Sequence, residues 1–173
     1  TAIFDASGGA VSKPKVQIEL LTLSEEDLRS STDVFPIKFL DIKRNHVIYR
    51  GKDVMSDLEI SRDNLRLRCE QEIKNLMLRL RLNYVSRKQN SKSIASLLNR
   101  IYLSLIRNLG VLVELKSGDV LVTNSDIIKG VGKLGIDIMA LHDVEKLRQD
   151  NFSIELEDRK RLLEKVMHCV RDA

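Results

Sequence analysis

Residues 65–81 read Leu65-Arg66-Leu67-Arg68-Cys69-Glu70-Gln71-Glu72-Ile73-Lys74-Asn75-Leu76-Met77-Leu78-Arg79-Leu80-Arg81. Leu65, Cys69, Ile73, Leu76, Leu80 and, just beyond, Tyr84 recur at steps of three and four, the spacing that lines one face of an α-helix. Leu67, Leu78, Leu82 and Val85 are expected to widen that stripe. The pattern predicts one helix of about 25 residues from Ser61, about 38 Å long. So wide an apolar face needs further helices to bury it.

Those helices follow in the sequence. From Lys92, the residues Ile94, Leu97, Leu98, Ile101, Leu105 and Leu109 form a second stripe, with Leu103 and Ile106 adding apolar cover on another side. Asn124-Ser125 is expected to cap a third helix that Gly130, Gly132 and Gly135 weaken and end. Residues 137–148 predict a fourth helix and 155–170 a fifth.

Upstream of Ser61 the pattern differs. The first residues, through Ser7-Gly8-Gly9 to Pro14, read as an irregular lead-in. Val16-Gln17-Ile18-Glu19-Leu20-Leu21 alternates and then turns apolar, which predicts a strand. Ser24-Glu25-Glu26-Asp27-Leu28 predicts a short helix with Ser24 as its N-cap and Asp27 at the capping-box position. Residues 35–42 are expected as a second strand, 43–46 as a turn, and Val47-Ile48-Tyr49 as a returning strand that ends at Gly51. The predicted class is α+β: a small sheet element over residues 1–60, then an all-helical bundle over 61–173.

The chain has 173 residues, 43% hydrophobic and 31% charged, which excludes a disordered or fibrous protein. Aromatics make up 4% with no Trp, which argues against a stacking platform for single-stranded nucleic acid. Two cysteines, Cys69 and Cys169, stand far apart without a second ligand pair, so no zinc module is legible and both are expected as free thiols. No apolar run is long enough to span a membrane and no signal peptide opens the chain, which predicts a soluble cytoplasmic protein.

The net charge is +4, but nine Lys or Arg against three acids fall within residues 61–92. Such a basic helix face either holds phosphates, with Arg79 and Arg81 as the candidates, or is a solvated surface whose Arg stems cover aliphatic neighbours. Its expected partners are a nucleotide, a nucleic acid or an acidic protein.

Among the carboxylates, Glu19 stands mid-strand in apolar surroundings, where a charge needs a metal, a partner or a solvent-facing edge. Asp41 is the second acid in an expected strand. Ser56-Asp57-Leu58-Glu59 has the alternating spacing of a carboxylate pair that holds Mg²⁺, yet also reads as a polar turn before the helix near Arg62. Arg161 and His168, with six residues between them, echo the R-x(4-6)-H pattern of HEPN ribonucleases. His46 and His142 are expected to be structural or solvated, and the three glycines of the third helix are too loosely spaced to cradle a phosphate.

Residues 16–28 together with Phe39-Leu40-Asp41-Ile42-Lys43-Arg44-Asn45-His46-Val47-Ile48-Tyr49-Arg50-Gly51 resemble the closing part of a DNA polymerase beta-type nucleotidyltransferase domain. Residues 65–81 resemble the LRxxxExxLxxxLLxLR helix that opens the helical domain of uncharacterised bacterial members, and the likeness covers about Val16 to Leu115. The resemblance implies Mg²⁺-dependent transfer of a nucleoside monophosphate from ATP or another NTP, with Glu19 as the third metal-binding acid and Asp41 as the second choice. The family's Gly-Ser turn and paired-acid strand, which belong upstream of Val16, are absent. The chain by itself is therefore expected to hold no Mg²⁺ or NTP, as a fragment or as a degenerate or partner-completed member. A non-catalytic helical interaction module and a HEPN-like ribonuclease are the alternatives.

Overall fold

A computed structural model describes residues 20–85, 91–149 and 156–173. Seven helices occur among them: α1 (Glu25–Ser30), α2 (Pro36–Asn45), α3 (Arg62–Val85), α4 (Ser91–Ser117), α5 (Asn124–Lys133), α6 (Met139–Gln149) and α7 (Leu156–Asp172). No strand is present among the described residues, so the α+β expectation is corrected to an all-helical bundle. The chain divides into two compact units, Thr1–Ser30 and Ser31–Ala173.

In the first unit, α1 starts as its sequence dictates. Asp27 N–H donates to Ser24 Oγ at 3.0 Å, and Ser24 N–H and Oγ–H donate to Asp27 Oδ2 at 3.2 and 2.6 Å. These bonds hold the Asp27 carboxyl below its usual range. The strand expected before α1 lies mostly outside the described residues, and residues 20–23 are irregular.

In the second unit, the expected strand over 35–42 is α2. Pro36 takes the first helical position, where its fixed φ suits the helix and its missing N–H leaves no intrahelical bond unmade. Phe39 N–H then bonds Phe35 C=O at 3.1 Å, Pro36, Ile37 and Phe39 are buried, and Lys43 and Arg44 complement the negative C-terminal end. The expected return strand is an irregular segment with Val47 and Tyr49 fully exposed.

This connection is nevertheless held in place. Lys43 Nζ donates to Leu58 C=O at 2.7 Å. The two ring nitrogens of His46 lie 3.0 Å from Lys43 C=O and 3.1 Å from Asp53 Oδ1, which also accepts the N–H groups of Met55 and Ser56 at 3.0 Å each. The Ser56 N–H above all holds the Asp53 carboxyl below its ordinary value of 3.8. A group with a lowered pKa stabilises the fold above its unfolded value and loses that contribution as pH falls through the folded one. Asp53→Ala should therefore destabilise the chain at pH 7, by urea unfolding, and the difference from wild type should shrink below pH 4.

The long α4 is the axis of the bundle: α3, α5, α6 and α7 all pack on it, α7 also packs on α3 and α6, and α2 packs on α3. Leu76 and Leu80 from α3, Leu98, Leu105 and Leu109 from α4, Ile128 from α5, Leu141 from α6 and Leu163 from α7 are fully buried in one continuous core. No helix among the described residues is long and apolar enough to cross a membrane.

The cap of α5 stands one residue before the expected Asn124. Thr123 Oγ1 accepts from Asp126 N–H at 3.1 Å and donates to Asp126 Oδ2 at 2.7 Å. The helix ends where Gly135 turns left-handed at φ 84° and bonds Gly132 C=O. At Gly130, α5 approaches closely: a Cβ there would stand 2.6 Å from Leu121 Cδ1 and 3.1 Å from Val113 Cγ1. Alanine gains about 1 kcal/mol of helix propensity over glycine, but overpacking costs about 1–3 kcal/mol. Gly130→Ala is therefore expected to lower the unfolding free energy by about 1 kcal/mol, measured by urea denaturation. A stabilised variant would show that the Leu121 side chain simply moves aside.

Candidate functional site

On α3, the row Leu65, Cys69, Ile73, Leu76 and Leu80 faces the core. Arg62, Arg66, Glu70, Lys74, Met77 and Arg81 lie on the neighbouring row, one step around the helix, and line an open groove of about 800 Å³. Leu112, Leu115 and Lys116 from the end of α4 and Val170, Arg171 and Ala173 from the end of the chain close its other sides. The floor is apolar, made by Ile73, Met77, Leu112, Leu115, Val170 and the edge of Cys69.

The rim is basic. Arg62, Arg66, Lys74, Arg81, Lys116 and Arg171 line it against two acids, Asp63 and Glu70. Glu70 is engaged by Lys74 four residues on, whose hydrogen bond and charge hold its carboxyl below the usual range. Arg62 Nη2 donates to Leu115 C=O at 2.6 Å and ties the start of α3 to the end of α4. Arg66, Arg81 and Lys116 make no ion pair among the described residues. The groove thus offers an apolar bed under an excess of cations, of which Lys74 pairs with Glu70, Arg171 with Asp172 at 3.1 Å, and Arg66 acts on Glu70 through its charge.

Both cysteines are buried free thiols. Cys69 donates its S–H to Asn108 C=O at 3.3 Å, and burial pushes its pKa up to about 11. Burial, with Asp137 and Asp172 adding to it, pushes Cys169 up to about 12. These are unreactive core groups rather than nucleophiles. Neither should react with an aromatic disulfide reagent at pH 8 until the chain unfolds. Raised acid pKa values also mean that stability falls as pH rises past the thiols' ordinary 9.0.

The sequence-derived candidates scatter over the molecule. Glu19 lies outside the described residues. Asp41 is on α2 at the edge of a second, smaller cleft of about 550 Å³, where Arg107 Nε lies 3.5 Å away and Asn45 Nδ2 donates to Oδ1 at 3.2 Å. That cleft is charge-balanced, since Arg44 also pairs with Glu114 at 2.7 Å. Arg79 and Arg81 diverge, being two residues and about 200° apart on α3. Arg81 lines the groove, and Arg79, on another side of the helix, does not.

Asp57 pairs with Lys52 at 3.3 Å in an exposed turn, and Glu59 is exposed beyond it. Arg161 and His168 are exposed on α7, with Arg161 3.9 Å from Asp158. His46 anchors the turn after α2, and His142 is half-buried on α6. No three His, Cys, Asp or Glu residues among those described converge as metal ligands. With Asp41 already engaged by Arg107 and Asn45, the described residues do not fit the Mg²⁺ that the resemblance implies.

Sequence reading located the basic helix but missed the far side of the groove. Lys116 and Arg171 reach it from the ends of α4 and α7, and only the packing of those ends on α3 brings them together. Among the described residues, the fold and site define a helical bundle with a basic, apolar-floored groove. Compared with protein families, characterised proteins and solved structures, the chain matches none of them.

Proposed function

We propose that this chain is a non-catalytic helical binding module whose groove receives an anionic partner. The carrying observation is the pairing of six cations and two acids around an apolar floor. The excess of cations over acids attracts a negatively charged ligand from solution, and the floor gains from covering its apolar atoms. An anionic probe should bind at low ionic strength, and its affinity should fall steeply with added salt. Failure of acidic peptide, RNA and ATP alike to bind at low salt would retire this reading.

A second reading is supported by the resemblance over residues 16–115: the chain is the closing part of a nucleotidyltransferase, with its metal-binding acids supplied by another segment or chain. Within that stretch the segments expected as strands are α2 and an irregular segment, so this reading rests on the sequence likeness. Here the chain alone is expected not to turn over MgATP. Supplied with a Gly-Ser and Asp-x-Asp segment, the protein should bind MgATP in a manner that Glu19→Ala abolishes. Equal binding with Ala at this position would remove Glu19 from the reading.

A further inference from the structure

The groove's dimensions and walls narrow the class of partner. From Arg62 to Arg81 it runs along α3 for about 28 Å, the length of about five helical turns. On that row, Arg62, Arg66, Lys74 and Arg81 present cations at steps of four, eight and seven residues, near-multiples of the turn. The apolar floor runs beneath them, and Leu78 at the lip is 54% exposed.

The long described wall is the middle of α3, whose backbone groups are spent on internal hydrogen bonds, and only the ends of α4 and α7 bring carbonyls outside that ladder. An extended peptide laid on this floor would leave its own N–H and C=O groups unpaired against apolar side chains. A helix satisfies its backbone internally and presents only side chains. A polynucleotide gains little here, because the floor contains no aromatic residue for bases to stack on, and its sugar-phosphate chain has no apolar face to set on Ile73, Met77 and Val170.

We propose that the partner is an acidic amphipathic helix of another protein, lying along α3 with its apolar side on the floor and its carboxylates against Arg66, Arg81 and Lys116. The proposal rests on the anionic-partner reading of the groove and adds the conformation and pattern of the ligand.

The test uses the full chain and a fluorescein-labelled peptide of about 18 Leu, Ala and Glu residues with Leu at i, i+3, i+4 and i+7. A scrambled peptide of the same composition and a single-stranded RNA of equal length serve as the other probes, read by fluorescence anisotropy. The patterned peptide should bind at least about tenfold more tightly than the scrambled one, since scrambling removes the apolar anchors. Arg66→Glu combined with Arg81→Glu should weaken it about tenfold or more, and Leu78→Ser several-fold. All three side chains are exposed, so the melting temperature should stay near that of wild type. If the scrambled peptide or the RNA binds as well as the patterned peptide, the helix assignment fails while the anionic groove stands. If the patterned peptide binds but ignores the Arg66 and Arg81 reversals, it docks elsewhere and the assignment also fails. If no probe binds, the groove reading falls with it.

Discussion

Leu76→Ala and Leu98→Ala should each lower the unfolding free energy by about 2–5 kcal/mol, the cost of a cavity in a packed core. Leu76 is 1% exposed on α3 and Leu98 2% exposed on α4, and both belong to the central cluster. The loss has two parts: the transfer free energy of the deleted carbons and the lost contacts around a void that the helices cannot fully close. Urea denaturation with an unchanged m-value would identify the effect as stability. Losses below about 0.5 kcal/mol at both positions, as is usual for surface changes, would show that α3 and α4 do not pack through these residues. The groove depends on this packing, because α3 and the end of α4 form facing sides of it.

A larger contrast is expected two residues apart on the same helix. Leu80 is 0% exposed and Leu82 72% exposed. Leu80→Asp buries a carboxylate without a partner and should cost several kcal/mol, enough to abolish cooperative unfolding in a domain of ordinary stability. Leu82→Asp places the same carboxylate in water and should change stability by less than about 0.5 kcal/mol. Circular dichroism melts of the two variants read the orientation of α3 directly. Equal destabilisation would mean that the helix is buried all round, and equal tolerance that it is not docked.

Leu82 also shows where the sequence is ambiguous. The steps from Leu65 to Leu80 place α3 and its inward row correctly, because a three-four spacing of large aliphatics has one geometric reading over so long a run. Leu67, Leu78, Leu82 and Val85 add apolar positions around the helix and looked like a widening of the core, yet all four are exposed. Nothing in one helix's pattern says how many neighbours it has; that depends on where α4 and α7 fall, a tertiary fact. The start of α4 and both ends of α5, α6 and α7 were legible to within a few residues, because caps and glycines act locally, whereas α4 runs on to Ser117, beyond the Leu109 where its stripe ended.

The sheet expectation failed for a physical reason. Phe35, Ile37 and Phe39 alternate like a half-buried strand, but a strand needs a partner for its backbone groups, whereas a helix beginning at Pro36 pairs its own. Val47, Ile48 and Tyr49 have strand-forming side chains, and among the described residues no strand pairs with them. For the candidate site, the charge excess over residues 61–92 pointed to α3, the helix that lines the groove. It could not separate Arg81, on the groove, from Arg79, on another side, until the neighbours were in place.

Amide chemical-shift mapping of the nitrogen-labelled chain, titrated with an acidic amphipathic peptide at low salt, reads directly whether the α3–α4–α7 groove is the binding surface. Shifts should concentrate at Arg66, Lys74, Met77 and Arg81, at Leu115 and Lys116, and at Val170 and Arg171, and should disappear as salt is raised. Shifts confined to the cleft beside Asp41 and Arg107, or an unperturbed spectrum at saturating peptide, would show that the groove is not the binding surface.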